Sequence, residues 1–286
     1  MPAVGVVYNT SMSRPDAALA LAALYGFQAK GEARVGSVCV TGAGLKAAIF
    51  CDILGRFYIP GPPRGANEQL PVGLADVRPL PPDPPMVKPA SANEPPYPHS
   101  IRKLTDTAQA EAALRNGVIY NAEAVVILSA PATNLANTLD LLGVKDLYRE
   151  RVKCLVLVDS TALRQDEPAL QKILAEWPSP IFFCGREVGE SLPFPAASIE
   201  KDFSWTQPHP VVDAYRAFHP MPYDAPAYDL AAAHFAVHPD SGFFDLSEPD
   251  AHNVRQLVLD PSKHEQILQA FIEIASAKPP APRHKA

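Results

Sequence analysis

The chain has 286 residues and a net charge of −6, with 47% hydrophobic and 20% charged residues. That length supports one large domain with a substantial core, and the composition is that of an ordinary globular fold. No lysine- or arginine-rich run occurs, which argues against nucleic acid as a partner, and no stretch reaches the roughly 18 apolar residues of a membrane-crossing helix.

The first predicted strand covers residues 3–8, AVGVVY. A polar turn at 9–16 follows, then a helix from Pro15 to about 26, with Ser13 or Arg14 near its cap and Pro15 in its first turn. A strand at 33–41 and a helix at 45–56 repeat the pattern. Many of the 32 prolines then concentrate at 60–98. Proline lacks an N–H and fixes φ, so this stretch is expected to cross the surface as an excursion without helix or central strand. So long a loop in a compact domain is usually functional, interfacial or disordered. Beyond it the sequence predicts a helix at 105–116, a strand at 122–130, a helix at 132–142 and a strand at 152–159. A helix at 167–177, a strand at 180–185, and helices at 211–217, 227–237 and 264–276 complete the pattern.

Near-continuous apolar strands, each followed by a helix, define the fold class as α/β: a mainly parallel central sheet with helices on both faces, in a single domain spanning 1–286. Ligands of such sheets bind outside the carboxyl ends of the strands. The turns at 9–16 and 129–134 are therefore the candidate sites. Neither GxGxxG nor GxxxxGK[ST] occurs, so a nucleotide-phosphate cradle is not indicated. Cys39, Cys51, Cys154 and Cys184 are far apart, mostly within apolar runs, and read as buried free thiols. His234 and His238 sit four apart without the HExxH context and read as a surface or half-buried pair.

Three segments carry a resemblance to a known family. NTSMSRPDAALAL (9–21) aligns without a gap to the opening DxDxxxDDA motif of the nucleoside hydrolases, the inosine–uridine-preferring N-ribohydrolases. ILSAPATNLANTL (127–139) resembles their GPLTNLA segment. YDLAAAHFAVHP (228–239) resembles their late His-Asp helix in a branch where an aromatic replaces the histidine. GREVGESLPFPAASIEKDFSW (185–205) and HPVVDAY (209–215) are similar to the same branch, so the resemblance spans nearly the whole chain.

The resemblance implies a calcium site in which motif carboxylates, a late aspartate and a threonine carbonyl hold the ion, and the second aspartate acts as general base. Calcium prefers several hard oxygens and acidifies the water it holds. Carried over position by position, the first aspartate is Asn9, the second is Ser11, the third is Pro15, and the fourth survives as Asp16. The threonine carbonyl matches Thr133, the late aspartate Asp229 and the aromatic before it Tyr228. The asparagine expected after the second strand is Ala43, and the ribose-holding EFN segment has no match at 153–166. If a metal is held, its ligands are Asp16, Thr133 and Asp229. Asn134 joins the pocket set, with His99 and Glu187 as weaker members; Glu187 lies in a turn similar to the family's GFEVG.

Blander roles exist for each residue. Asp16 offsets a helix dipole, and Asp229, Thr133 and Asn134 serve as caps. Ser11 does not replace a general base, because an unactivated hydroxyl accepts no proton near neutral pH. The expectation is thus a nucleoside hydrolase-like protein with a degraded calcium and ribose site and without ordinary ribohydrolase activity. It retains a pocket for a nucleoside- or sugar-like small molecule. The alternatives are an active metal-dependent hydrolase of an unusual N-glycoside, and a structural or interaction protein using the proline-rich surface. No cofactor is expected beyond the calcium that the resemblance implies, and a homo-oligomer is expected by resemblance only. A chain complete as it stands is expected to be cytoplasmic, and one that has lost a leader to be exported.

Overall fold

The computed structural model describes residues 3–59, 71–75, 80–90 and 97–280. The rest of the proline-rich stretch expected at 60–98 lies outside the described residues. In chain order the first elements are β1 (Val4–Thr10), α1 (Pro15–Lys30), β2 (Ala33–Val40), α2 (Leu45–Tyr58), β3 (Val72–Leu74), β4 (Ala108–Gln109) and α3 (Ala110–Ile119). Next come β5 (Ala124–Ser129), α4 (Thr133–Thr138), α5 (Val144–Arg151), β6 (Val152–Val158), α6 (Glu167–Glu176), β7 (Ile181–Cys184) and α7 (Arg186–Ser191). The last are β8 (Pro193–Phe194), α8 (Ala196–Lys201), α9 (Pro210–Phe218), β9 (Ala225–Pro226), α10 (Tyr228–Val237), β10 (Phe244–Leu246), β11 (Val254–Leu259) and α11 (His264–Ala275).

Among the described residues nine strands form one sheet in the order β10-β11-β7-β6-β5-β1-β2-β3-β4, and β8 pairs with β9 in a separate ribbon. Every pairing in the large sheet is parallel except β10 with β11. Alternation along β1 separates the two faces. Val6 and Tyr8 enter one core with residues of α1, α2, α9, α10 and α11, while Val7 enters the other with residues of α3, α4, α5 and α6. The α/β class expected from the sequence is the class observed.

Several expectations need correction. The strand predicted at 3–8 runs on to Thr10, because Asn9 and Thr10 pair with Leu128 and Ser129 on one side and with Cys39 and Val40 on the other. Asn9 is therefore fixed in the sheet rather than carried on a turn. The proline-rich stretch does contribute a sheet strand: Val72-Gly73-Leu74 lies between β2 and β4. Three consecutive residues that are not proline are enough for that ladder. The helix predicted at 105–116 starts only at Ala110, after a 3₁₀ turn at Leu104–Asp106 and the short β4. The helix predicted at 132–142 ends at Thr138. The hairpin of β10 and β11 was not anticipated, since its exposed alternate residues dilute the apolar signal.

Helices α1 and α10 are the core's central elements. Every residue of α1 from Pro15 to Phe27 is buried, as is every residue of α10 from Tyr228 to Ala236. Their alanines, including Ala17, Ala18, Ala22, Ala231, Ala232 and Ala233, keep the side-chain layer thin where the helices pack. Such helices are apolar all round rather than amphipathic. Gly117 serves the same end on the opposite face, since a Cβ there would strike the side chains of Ser37 and Val7.

His234, inside α10, illustrates the cost of this burial. Its ring lies against Phe27, Phe243 and Phe271, its Nδ1 has no hydrogen-bond partner among the described residues, and His238 bonds Glu32 instead at 3.2 Å. Burial, with His238 nearby, pushes the His234 imidazole down to about 3. The unfolded chain takes up that proton near the ordinary value of about 6.5, so stability is full above that pH and is lost as pH falls below it. Urea unfolding at about pH 7.5 and about pH 5 should show wild type losing roughly 2 kcal/mol more than His234→Phe across that interval. Equal losses in both proteins would show that His234 is not held neutral.

Candidate functional site

The candidate site is built at the carboxyl ends of β1, β2 and β5, where the chain leaves β1 and doubles back into α1. Met12 makes that reversal with φ +47°, its N–H bonded to Thr10 Oγ1 at 3.0 Å. A left-handed conformation costs a non-glycine residue about 1–2 kcal/mol, and here the fully buried Met12 side chain is anchored in the core. Pro15 then opens α1 with its φ already helical. Arg14 occupies the cap position without capping with its side chain, which reaches elsewhere.

That side chain binds two buried carboxylates. Arg14 Nε donates to Asp16 Oδ1 at 3.3 Å and Nη2 donates to Asp229 Oδ1 at 3.0 Å. Both aspartates are 1% exposed, while the Arg14 side chain is 26% exposed. The remaining oxygens are also engaged. Asp229 N–H donates to Asp16 Oδ2 at 2.8 Å, Ser129 Oγ donates to Asp229 Oδ1 at 2.7 Å, and Tyr8 OH donates to Asp229 Oδ2. Each aspartate sits in the first turn of its helix, where the positive end of the helix dipole favours negative charge.

Burial pushes the Asp16 carboxyl up to about 6 even with Arg14 beside it. Burial alone would lower the Arg14 guanidinium, yet Asp16 and Asp229 together hold it above its ordinary value. Burial, then Asp229, drives the Tyr8 phenol well above its ordinary range, so it remains a donor.

Tyr228 forms the wall of this cluster. The Arg14 guanidinium lies 4.4 Å from its ring centroid, and on α7 a Cβ at Gly189 would strike the same ring. Glycine at 189 is thus a packing requirement for the tyrosine. Its phenol donates to Glu190 Oε1 at 3.5 Å, and burial followed by Glu190 raises its pKa. That direction makes it a poorer proton donor at neutral pH.

A second, uncharged network lies on the other face of β1. Thr41 Oγ1 donates to Asn9 Oδ1 at 2.9 Å, and Asn134 Nδ2 donates to Thr41 Oγ1 at 2.8 Å. Asn9 Nδ2 is buried and makes no hydrogen bond among the described residues. Thr133 Oγ1 donates to Asp166 Oδ2 at 2.5 Å, and Asp166 also caps α6 through Ala169 N–H at 3.2 Å. Ser11 Oγ donates to Ser13 Oγ at 2.9 Å and lies 3.5 Å from the Ser129 carbonyl.

The structure therefore brings together Asp16, Asp229 and Tyr228 in one group, and Asn9 and Asn134 in another, with Ser11 at the turn and Thr133 at the start of α4. Glu187 is exposed, its carboxyl folded over Gly185. His99 is half-buried and its Nδ1 meets the Ile101 carbonyl at 2.8 Å. Reading the sequence missed the partners: Arg14, considered only as a cap, and Tyr8, Thr41, Ser129 and Asp166. One signal was present. A buried aspartate in an apolar helix needs a cation, and the nearest in sequence to Asp16 is Arg14.

Whether these residues suit the calcium that the sequence resemblance implies is a question of free oxygens. Calcium takes 6–8 oxygen ligands. Here all four carboxylate oxygens of Asp16 and Asp229 already accept protein hydrogen bonds, and a guanidinium bridges the pair. A divalent cation does not fit this arrangement as it stands. Among the described residues, no three His, Cys, Asp or Glu side chains gather into a metal-ligating group.

The topology defines the class: the fold is that of the nucleoside hydrolases. The purine-preferring ribonucleoside hydrolase from Gardnerella vaginalis superposes with a TM-score of 0.68 at 13% identity, over 95% of this chain and 98% of that one. The inosine–uridine preferring nucleoside hydrolase from Bacillus anthracis does so with a TM-score of 0.65 at 12% identity, over 94% and 99%. The type III effector protein XopQ, complexed with adenosine diphosphate ribose, gives 0.65 at 15% identity, over 97% and 94%. At these identities the likeness is one of fold. No protein-family model matches the sequence, and no curated protein matches it.

The contacts of Asp229 yield a test of the charged cluster. Tyr8→Phe removes a donor from a buried carboxylate and should cost about 2–3 kcal/mol in urea unfolding. Tyr148→Phe removes a donor from the neutral Thr138 hydroxyl, 3.1 Å away, and should cost about 1 kcal/mol. Equal costs would mean that Asp229 is not held as a charged acceptor.

Proposed function

We propose that the protein binds a ribosyl-containing small molecule at the carboxyl ends of β1, β2 and β5, and does not carry out calcium-dependent N-ribosyl hydrolysis. The observation that carries the reading is the pairing of functions at this one place. The two surviving motif carboxylates are consumed by Arg14, Tyr8, Ser129 and a backbone amide. On the other face of β1 the buried Asn9 amide keeps a donor that is unused among the described residues.

Ordinary ribohydrolysis in this fold calls for a general base at the second motif position and free carboxylate oxygens for the metal. Position 11 is a serine whose hydroxyl bonds Ser13 and has no histidine or carboxylate partner among the described residues. Asn9, Thr41 and Asn134 are neutral hydrogen-bonding groups suited to sugar hydroxyls and unsuited to proton abstraction. An unpaired buried donor is unfavourable by about 1–3 kcal/mol, so a ligand oxygen that meets it recovers that cost. Adenosine diphosphate ribose, held by one protein of this fold, and adenosine are the first probes.

Calorimetric titration with adenosine diphosphate ribose and adenosine, paired with a reducing-sugar assay for ribose release, tests the proposal. The expected outcome is saturable one-site binding, unchanged by chelator, without ribose release at any calcium concentration. Asn9→Leu, similar in volume but without the amide, should weaken binding by roughly tenfold or more, as the loss of one buried hydrogen bond implies. Calcium-stimulated ribose release would refute the reading, as would the absence of binding by either probe.

A further inference from the structure

Arg14 is doing more than neutralising a neighbour. Its guanidinium touches one oxygen of Asp16 and one of Asp229, two carboxylates 213 residues apart in sequence that are buried at the first turns of adjacent helices. Two negative charges at this depth without a compensating cation are strongly unfavourable, because neither can draw on bulk water. The sequence offers no other arginine, lysine or histidine between Val4 and Gln28. Arg14 reaches the pair because Met12 turns the chain back over the end of β1, and because Tyr228 supports the guanidinium plane from below. The side chain is held by two carboxylates and an aromatic face, a constraint that an exposed surface arginine does not have.

We infer that Arg14 is a built-in cation: it takes the position between Asp16 and Asp229 that a divalent ion would fill, and its removal converts these carboxylates into an open divalent-cation site. In the wild-type chain the cation is covalent, carries one charge and brings directed N–H donors. Opened by loss of the guanidinium, the site offers Asp16 Oδ1 and the Arg14-facing side of Asp229 Oδ1, a small carboxylate set that suits calcium or a lanthanide with several waters retained. Asp229 Oδ2 stays with Tyr8, and Asp16 Oδ2 with the Asp229 amide, so the two carboxylates remain oriented after the arginine is gone. This inference is independent of the ribosyl-ligand reading: a protein that binds neither adenosine nor adenosine diphosphate ribose can still carry a built-in cation.

The test compares wild type, Arg14→Met and Arg14→Lys. Methionine keeps an unbranched stem against Tyr228 without charge, and lysine keeps the charge. Each protein is stripped with chelator, then titrated with terbium while its emission is read through excitation of the neighbouring tyrosines. Thermal unfolding is followed with and without about 5 mM calcium, a concentration above the weak end of calcium sites. Wild type and Arg14→Lys should show neither sensitised emission nor a change in midpoint. Arg14→Met should bind one terbium per chain and gain about 3 °C or more with calcium. Arg14→Met combined with Asp16→Asn should lose both responses, which assigns the ion to this pair.

One-site calcium or terbium binding by wild type would overturn the inference, and so would a folded Arg14→Met that responds to neither ion. Should Arg14→Met be unfolded after chelation, refolding on addition of calcium supports the inference, and failure to refold overturns it.

Discussion

Two carboxylates that share one guanidinium in a water-poor interface organise this molecule. Asp16 and Asp229 lie in the first turns of α1 and α10, two helices buried along most of their length. Arg14, Tyr8, Ser129 and one backbone N–H bind their oxygens. Each partner comes from a different part of the framework: the β1–α1 turn, the middle of β1, the end of β5 and the start of α10. Removing the guanidinium leaves charge uncompensated, and that cost far exceeds what an exposed ion pair contributes. The cluster therefore fixes how α1 and α10 approach one another, and hence where the carboxyl ends of the strands open.

Around that cluster the fold supplies a division of labour set by strand alternation. Tyr8 points to the charged face and Asn9 to the uncharged one, because successive side chains of a strand face opposite ways. The neutral face, with Thr41 and Asn134, offers directed hydrogen bonds, and burial pushes the neighbouring Cys39 thiol up, so it stays uncharged. The charged face is internally saturated. Neutral groups of this kind suit hydroxyl-bearing ligands, and the two buried carboxylates have every oxygen in a protein hydrogen bond.

Under the proposed reading, similarity of fold and similarity of chemistry come apart for a physical reason. A nine-stranded sheet with helices on both faces depends on apolar packing that many sequences satisfy, so it persists at 12–15% identity to solved nucleoside hydrolases. A metal site depends on the count and freedom of a few oxygens. Set against the motif that the sequence resembles, asparagine at 9 and serine at 11 lower that count, and the strand and turn that carry them are still formed.

The sequence by itself determined the alternation of apolar strands and helices and the parallel sheet that follows from it, and it marked the two turns at 9–16 and 129–134 as candidate sites. These are local properties: periodicity, proline at a helix start, and the length of apolar runs. The motif positions Asn9, Ser11, Asp16 and Asp229 were legible for the same reason, since each lies in a contiguous pattern. The proline run hid β3, because a three-residue strand leaves too short a signal among residues that break ladders. Only the tertiary structure decided what those positions do. Arg14 reads locally as a helix cap, and Tyr8 and Ser129 as ordinary strand residues. Their roles arise when the sheet order places β1 beside β5 and α10 brings Asp229 over the end of both. Charge compensation between residues more than 200 positions apart is a property of the packed chain, because the unfolded chain leaves each of these groups to water.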